Sequence, residues 1–229
     1  MTLLDDLAED GRFGSDVRKD LEVCRVPDIF GFDDPKVLFI AESPHTDEVR
    51  FGAPFSGRSG KDMTRVLLNR VFKQKEISDP IAFGRCIQFQ SAFFRHFGVM
   101  NVCNIPLQSA ALKDAAPEMR KKYEPLFEAF KTLRSNPAAA NRTSETVAWI
   151  ERMILKDFAE RLESRLKADL LVIPCGNVAR GYFEKSGLDI GRENYLGAIP
   201  HPSYGQWLTS AKRDLIQQMC RRIRKRIDA

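Results

Sequence analysis

Short unbroken apolar runs alternate along this chain with longer stretches of helical periodicity. Residues 37–40, Val-Leu-Phe-Ile, form the run that a strand buried on both faces requires. Segments 99–105, 169–174 and 195–200 read as further strands. Between them, 60–72 sets Met63, Val66, Leu67 and Leu68 on one helical face. Asp79-Pro80 starts a Phe-rich helix over 81–97, which Gly98 breaks. Residues 112–133 read as helix with breaks at Pro117 and Pro125, followed by a loop at 135–138. Thr143 or Ser144 caps a long helix to about 167, with Glu145 in its first turn. A short helix at 177–185 closes at Gly187, and 206–227 is the closing helix. Strand–helix alternation predicts one domain spanning 1–229: a three-layer α/β/α sandwich around a short four-stranded parallel sheet.

Composition narrows the class. The chain is 43% hydrophobic and 29% charged, ordinary for a soluble globular protein. No apolar run approaches the ~18 residues of a membrane span. The first residues, MTLLDDLAEDGRF, lack the apolar length of a signal peptide, so the cytoplasm is the expected compartment. A monomer is the expected state. Five scattered cysteines argue against a disulfide framework; without a CxxC pair they read as small buried hydrophobes. Net charge is +5, concentrated in the final helix at Lys212, Arg213, Arg221, Arg222, Arg224, Lys225 and Arg226. Such a helix fits a polyanion partner, or is simply a solvated terminus.

Candidate chemistry gathers at two strand ends. Residues 39–60, FIAESPHTDEVRFGAPFSGRSG, leave a strand through Glu42, Ser43, Pro44 and His45 and reach Phe55 in a Gly/Pro/Ser loop. Downstream, Ile199-Pro200-His201-Pro202-Ser203-Tyr204 again ends a strand in polar residues. Open α/β sheets place ligands at the carboxyl ends of strands, so both ends point to one pocket holding a planar ring. His96, in a Phe-rich helix, reads as structural, while His45 and His201 at strand ends point to chemistry. Gly57-Arg58-Ser59-Gly60-Lys61 is not a phosphate-binding loop: Phe55 stands where its first Gly belongs, and Asp62 where Ser or Thr would bind magnesium. No tight ligand spacing suggests a metal site.

Taken together, these residues resemble the uracil-DNA glycosylase superfamily, its family 4 type most closely. The family's G-E-A-P-G segment, acidic residues and G-x-P-F-x-G-x-[AS]-G are matched by 41–45, Asp47-Glu48 and 52–60. His201-Pro202-Ser203-Tyr204 matches H-P-[SA]-Y, and 174–179 looks like the P-x-G-x-x-A turn. An Asn at a strand end is matched by Asn101 or by Asn104. The likeness spans roughly 36–215.

The resemblance implies a monofunctional glycosylase that hydrolyses the glycosidic bond of a flipped base in single- or double-stranded DNA, with no cofactor. Phe55 would stack on the base, Asn101 or Asn104 would bond its edge, and His201 would stabilise the departing anion. Glu42 would position water or steady the sugar cation. Tyr204, Gln206 or Trp207 would wedge into the stack, and Arg58, Ser59 and Ser203 would hold phosphates. His45 stands where family 4 has Gly, or where other members have a Tyr that excludes a 5-methyl group; Ser43 replaces Ala or Asp. These changes alter the pocket floor, leaving open uracil or a substituted cytosine in phage DNA, and hence repair or antiviral defence. Family 4 also carries an iron–sulfur cluster, but only Cys24 lies N-terminal here, so no cluster is expected. A catalytically silent DNA-binding module is the reading of another class.

Overall fold

The structure, a computed structural model, describes residues 2–75, 77–113, 117–137, 139, 142–197 and 199–228. Parts of the expected 112–133 helix, the 135–138 loop and the 195–200 strand, at 114–116, 138 and 198, lie outside the described residues.

Four strands form one open sheet: β1 (Ile29–Phe30), β2 (Val37–Ala41), β3 (Phe97–Asn101) and β4 (Leu171–Pro174), in the order β1-β3-β2-β4. β2 is central and parallel to both neighbours, pairing Ala41 with Asn101 and Ile40 with Pro174. Every residue of β2 is buried, because helices cover both sheet faces. Alternation divides the strand between two cores. Leu38 and Ile40 join Met100, Val172 and the apolar stripes of helices Leu3–Asp10, Glu124–Ser135 and Glu145–Glu163. Val37, Phe39 and Ala41 join Val99, Ile173 and the stripes of helices Arg58–Arg70, Phe83–Gln88 and Arg213–Ile227. The result is the expected α/β/α layering.

The sheet is mixed rather than wholly parallel. β1, two residues long and unmarked by any apolar run, pairs antiparallel with β3. The expected last strand is reduced to two parallel bridges beside β4, Val172 to Tyr195 and Cys175 to Ile199. Pro174 lies between those bridges and has no N–H to offer the ladder.

The Phe-rich segment is also not one helix. Helix Phe83–Gln88 stops just before Gln90, where φ is 55°, and a 3₁₀ turn, Ala92–Phe94, leads into β3. Folding back brings Phe83, Phe94 and Phe97 edge to face, with centroids 5.0 Å apart for Phe83–Phe94 and 5.8 Å for Phe83–Phe97. The closing helix starts late, at Arg213, because Tyr204 and Gly205 adopt left-handed backbone that interrupts the preceding 3₁₀ turn.

Candidate active site

The carboxyl edge of the sheet gathers most of the expected groups. Glu42 leaves β2, Asn101 ends β3, and His201 follows the segment bridged to β4. The backbone locks these ends together: Cys103 N–H donates to Glu42 O at 3.2 Å, Cys175 N–H to Ile40 O at 2.8 Å, and Gly176 N–H to Ile199 O at 2.8 Å. Gly176, at φ 90°, lets the turn pass against His201; a Cβ there would lie 3.1 Å from the His201 Cβ. With strands about 4.8 Å apart, Asn101 and His201 stand about 14 Å apart along the edge, backbone to backbone.

Phe55 closes this edge from a tightly held loop. It is buried, adopts φ 53°, and its ring lies 5.9 Å from the His201 ring. Two helices grip its backbone. Buried Glu48, in helix Thr46–Phe51, accepts from Phe55 N–H and from His45 N–H, the latter at 2.8 Å. Gly84 N–H donates to Phe55 O at 3.2 Å, and a Cβ at Gly84 or Gly60 would collide with the carbonyls of Pro54 or Phe55. Loss of water around the Glu48 carboxyl pushes its pKa up to about 7.

The polar groups differ in what already satisfies them. Asn101 is fully buried, yet among the described residues neither its amide nitrogen nor its oxygen has a hydrogen-bond partner. A buried orphan amide is costly, and a ligand edge supplies what it lacks. His201 accepts from Ser203 N–H at Nδ1 (3.2 Å), which places the ring proton on Nε2. Burial lowers its pKa to about 4, so it is a neutral donor near pH 7. Glu42 is held by a residue the sequence did not single out: Arg134 Nε, from helix Glu124–Ser135, donates to its Oε1. Ser43 Oγ accepts from Leu107 N–H at 3.3 Å.

Several expected residues lie elsewhere or play other parts. Trp207 is no wedge: it is fully buried, donates from Nε1 to Pro200 O at 2.8 Å, and packs 5.9 Å from Phe39. Gln206 is half-buried, leaving Tyr204 as the projecting residue of this turn, 97% exposed at φ 55°. Asn104 turns away from the pocket; its amide is oriented to donate to Asp28 Oδ1 at 3.1 Å and Val26 O at 3.3 Å. With Thr2 and Leu3 it lines a cavity of about 10 Å³ that none of Glu42, Phe55 or His201 borders. His45 is exposed at the rim rather than forming the floor. Arg58 is exposed at the first turn of its helix, with Ser59 half-buried beside it. Ser203 is half-buried next to Tyr204.

Three arginines of the basic final helix face another way, while Lys212, Arg213, Arg221 and Lys225 are exposed. Arg222, Arg224 and Arg226 donate to the carbonyls of Tyr195, Val71 and Asp169, at 2.9, 3.0 and 2.5 Å. Asp169 precedes β4, and Val71 follows the helix that begins beside Phe55. These arginines therefore clasp the amino edge of the sheet, opposite the site.

The five cysteines are free, with Cys24, Cys103, Cys175 and Cys220 buried and Cys86 half-buried. They do not fit an iron–sulfur cluster, since no three His, Cys, Asp or Glu side chains gather among the described residues.

One edge of an open α/β sheet thus carries a carboxylate, an unpaired amide, a neutral imidazole and an aromatic ring, at the strand ends where such sheets bind their ligands. The model of the uracil DNA glycosylase superfamily matches residues 27–224, and the chain belongs to that superfamily. Superfamily membership makes DNA glycosylase chemistry the general expectation for this site. No curated protein matches the chain.

Proposed function

We propose that this protein is a monofunctional DNA glycosylase that hydrolyses the N-glycosidic bond of a flipped uracil and leaves an abasic site. The observation that carries this reading is the orphan amide of Asn101, buried at a strand end across the edge from a neutral His201. An amide presents a donor and an acceptor side by side, the pattern needed to read the edge of a pyrimidine.

The base enters against the Phe55 ring, and its edge satisfies Asn101. Bond breaking leaves positive charge on the sugar and negative charge on the base. His201 donates from Nε2 to the base oxygen on which that charge develops. A neutral imidazole suits this step because it needs no change of protonation before the bond breaks. Glu42, oriented by Arg134, faces the sugar and positions the attacking water. Tyr204 fills the gap left in the stack, while Arg58, Ser59 and Ser203 hold the flanking phosphates. Duplex and single-stranded DNA are both proposed substrates; a single strand avoids the cost of unpairing.

A second reading, excision of a substituted cytosine of the kind found in phage DNA, rests on exposed His45. The position that carries an excluding Tyr elsewhere in the superfamily here leaves the rim open to a bulky substituent. Hot-alkali cleavage of end-labelled DNAs carrying uracil, 5-hydroxymethylcytosine or its glucosylated form separates the two. Cleavage at uracil supports the first reading. Cleavage confined to the substituted cytosines supports the second and overturns the first.

A further inference from the structure

Beside the Phe55 loop lies a group of side chains that the base pocket does not use. Arg85 sits between two aromatic rings, its guanidinium carbon 4.5 Å from the centroid of Phe51 and 4.6 Å from that of Phe89. Arg50 adds a second cation, 5.3 Å from the Phe51 ring. Phe89 is 59% exposed, and Arg50 is exposed. Neighbouring Arg65 and Arg95 are neutralised by Asp62 and Asp33. Arg50 and Arg85, by contrast, have no carboxylate partner among the described residues, and Arg85 Nε is buried without any hydrogen-bond partner.

The placement is not arbitrary. The two helices that carry this group, Thr46–Phe51 and Phe83–Gln88, are the two that grip Phe55: one through Glu48, the other through Gly84. Arg85 directly follows Gly84, and Gln88 Nε2 ties the helices together by donating to Phe51 O at 3.3 Å. An isolated exposed Phe is unremarkable. Aromatic rings alternating with unpaired arginines are different, since they offer faces for bases to stack on and charge for the backbone that joins them.

We infer that Phe51, Arg85 and Phe89 form a second nucleic-acid subsite, which binds nucleotides flanking the flipped one on a single strand of DNA. The inference rests on the glycosylase reading for its place along the strand, but not for its chemistry. A single strand is the occupant because its bases are free to stack on Phe89, whereas a duplex keeps its bases stacked inside and offers only phosphates.

The test is fluorescence anisotropy with a labelled 12-nucleotide oligothymidine that contains no excisable base, alongside the matching duplex with oligoadenine. Phe89→Ala and the unstackable but apolar Phe89→Leu are expected to weaken single-strand binding by about tenfold, within the range of one lost base stack. Duplex binding should change less than twofold, and Tm should stay that of the parent. Arg85→Lys, which keeps the charge but loses the planar stack, should weaken single-strand binding similarly. Unchanged single-strand affinity in the Phe89 variants overturns the subsite, as does an equal loss for strand and duplex. Phe89-dependent binding by a protein that excises no base would leave the subsite standing and remove only the catalytic reading.

Discussion

His201 packs against the Phe55 ring and Glu48 holds the Phe55 N–H, yet burial drives their pKa values in opposite directions. The unfolded chain protonates His201 near 6.5, the folded chain only near 4. Stability linked to the neutral ring is therefore complete above pH 6.5 and is lost as pH falls towards 4. Glu48 runs the other way: the folded chain keeps its proton up to about 7, while the unfolded chain releases it near 4.5. Stability linked to the protonated carboxyl is complete below pH 4.5 and is lost as pH rises to 7. Each linkage amounts to at most about 3 kcal/mol. Relative to the parent, His201→Ala should gain in Tm as pH falls from 6.5 to 4, and Glu48→Gln should gain as pH rises from 4.5 to 7. Each gain should reach at most about 10 °C in calorimetry; curves parallel to the parent's would contradict the assignments. Arg134 invites a kinetic test. Arg134→Ala should slow single-turnover excision roughly tenfold with little change in KM, and should add nothing to the loss in Glu42→Ala. Glu42, Phe55 and His201 were legible because each stands in a local motif at a strand end. Arg134 was not, since 92 residues separate it from Glu42 and no local pattern marks it. Glu48 was legible as an acidic neighbour of the motif, but its grip on Phe55 N–H depends on a backbone turn that periodicity does not reveal.

The loop that carries Phe55 depends on the fit of two helices. Gly84→Ala places a methyl group against the Pro54 carbonyl, so the helix or the loop must shift. The expected outcome is a loss of about 1–3 kcal/mol in denaturant unfolding, together with slower excision, because the ring no longer stands over the base. A variant of parental stability and activity would show that the loop tolerates the shift. Strands β2 and β4 and helix Asn177–Lys185 followed from apolar runs and turn residues. Helix Phe83–Gln88 was overextended because a Phe-rich stretch looks the same whether it lines one helix or folds back into an aromatic cluster. Trp207 was misread for a related reason. It follows the polar His201–Tyr204 motif, but left-handed backbone at Tyr204 and Gly205 turns Trp207 inward and leaves Tyr204 outside.

Across the whole molecule, the two edges of the sheet have separate duties. The site occupies the carboxyl edge, while the arginines of the last helix close the amino edge, about 20 Å away along helix Arg58–Arg70. Positive charge in the sequence suggested a nucleic-acid helix, because composition records the charge but not the carbonyls that consume it. Arg224→Ala combined with Arg226→Ala should therefore lower stability by about 2–4 kcal/mol and leave the salt dependence of DNA binding unchanged. A shallower salt slope at parental stability would return that helix to the DNA interface. No helix among the described residues is long and apolar enough to cross a membrane. The reaction proposed for the strand-end groups is the breaking of a glycosidic bond. Its most direct test is single-turnover release of free uracil from an internally labelled oligonucleotide by the parent protein and by His201→Ala. Expected are release by the parent, an intact strand until alkali is added, and a rate about 10²–10³-fold lower in the variant. Equal rates in parent and variant, or DNA binding by the parent with no base released from uracil or substituted cytosine, would contradict it.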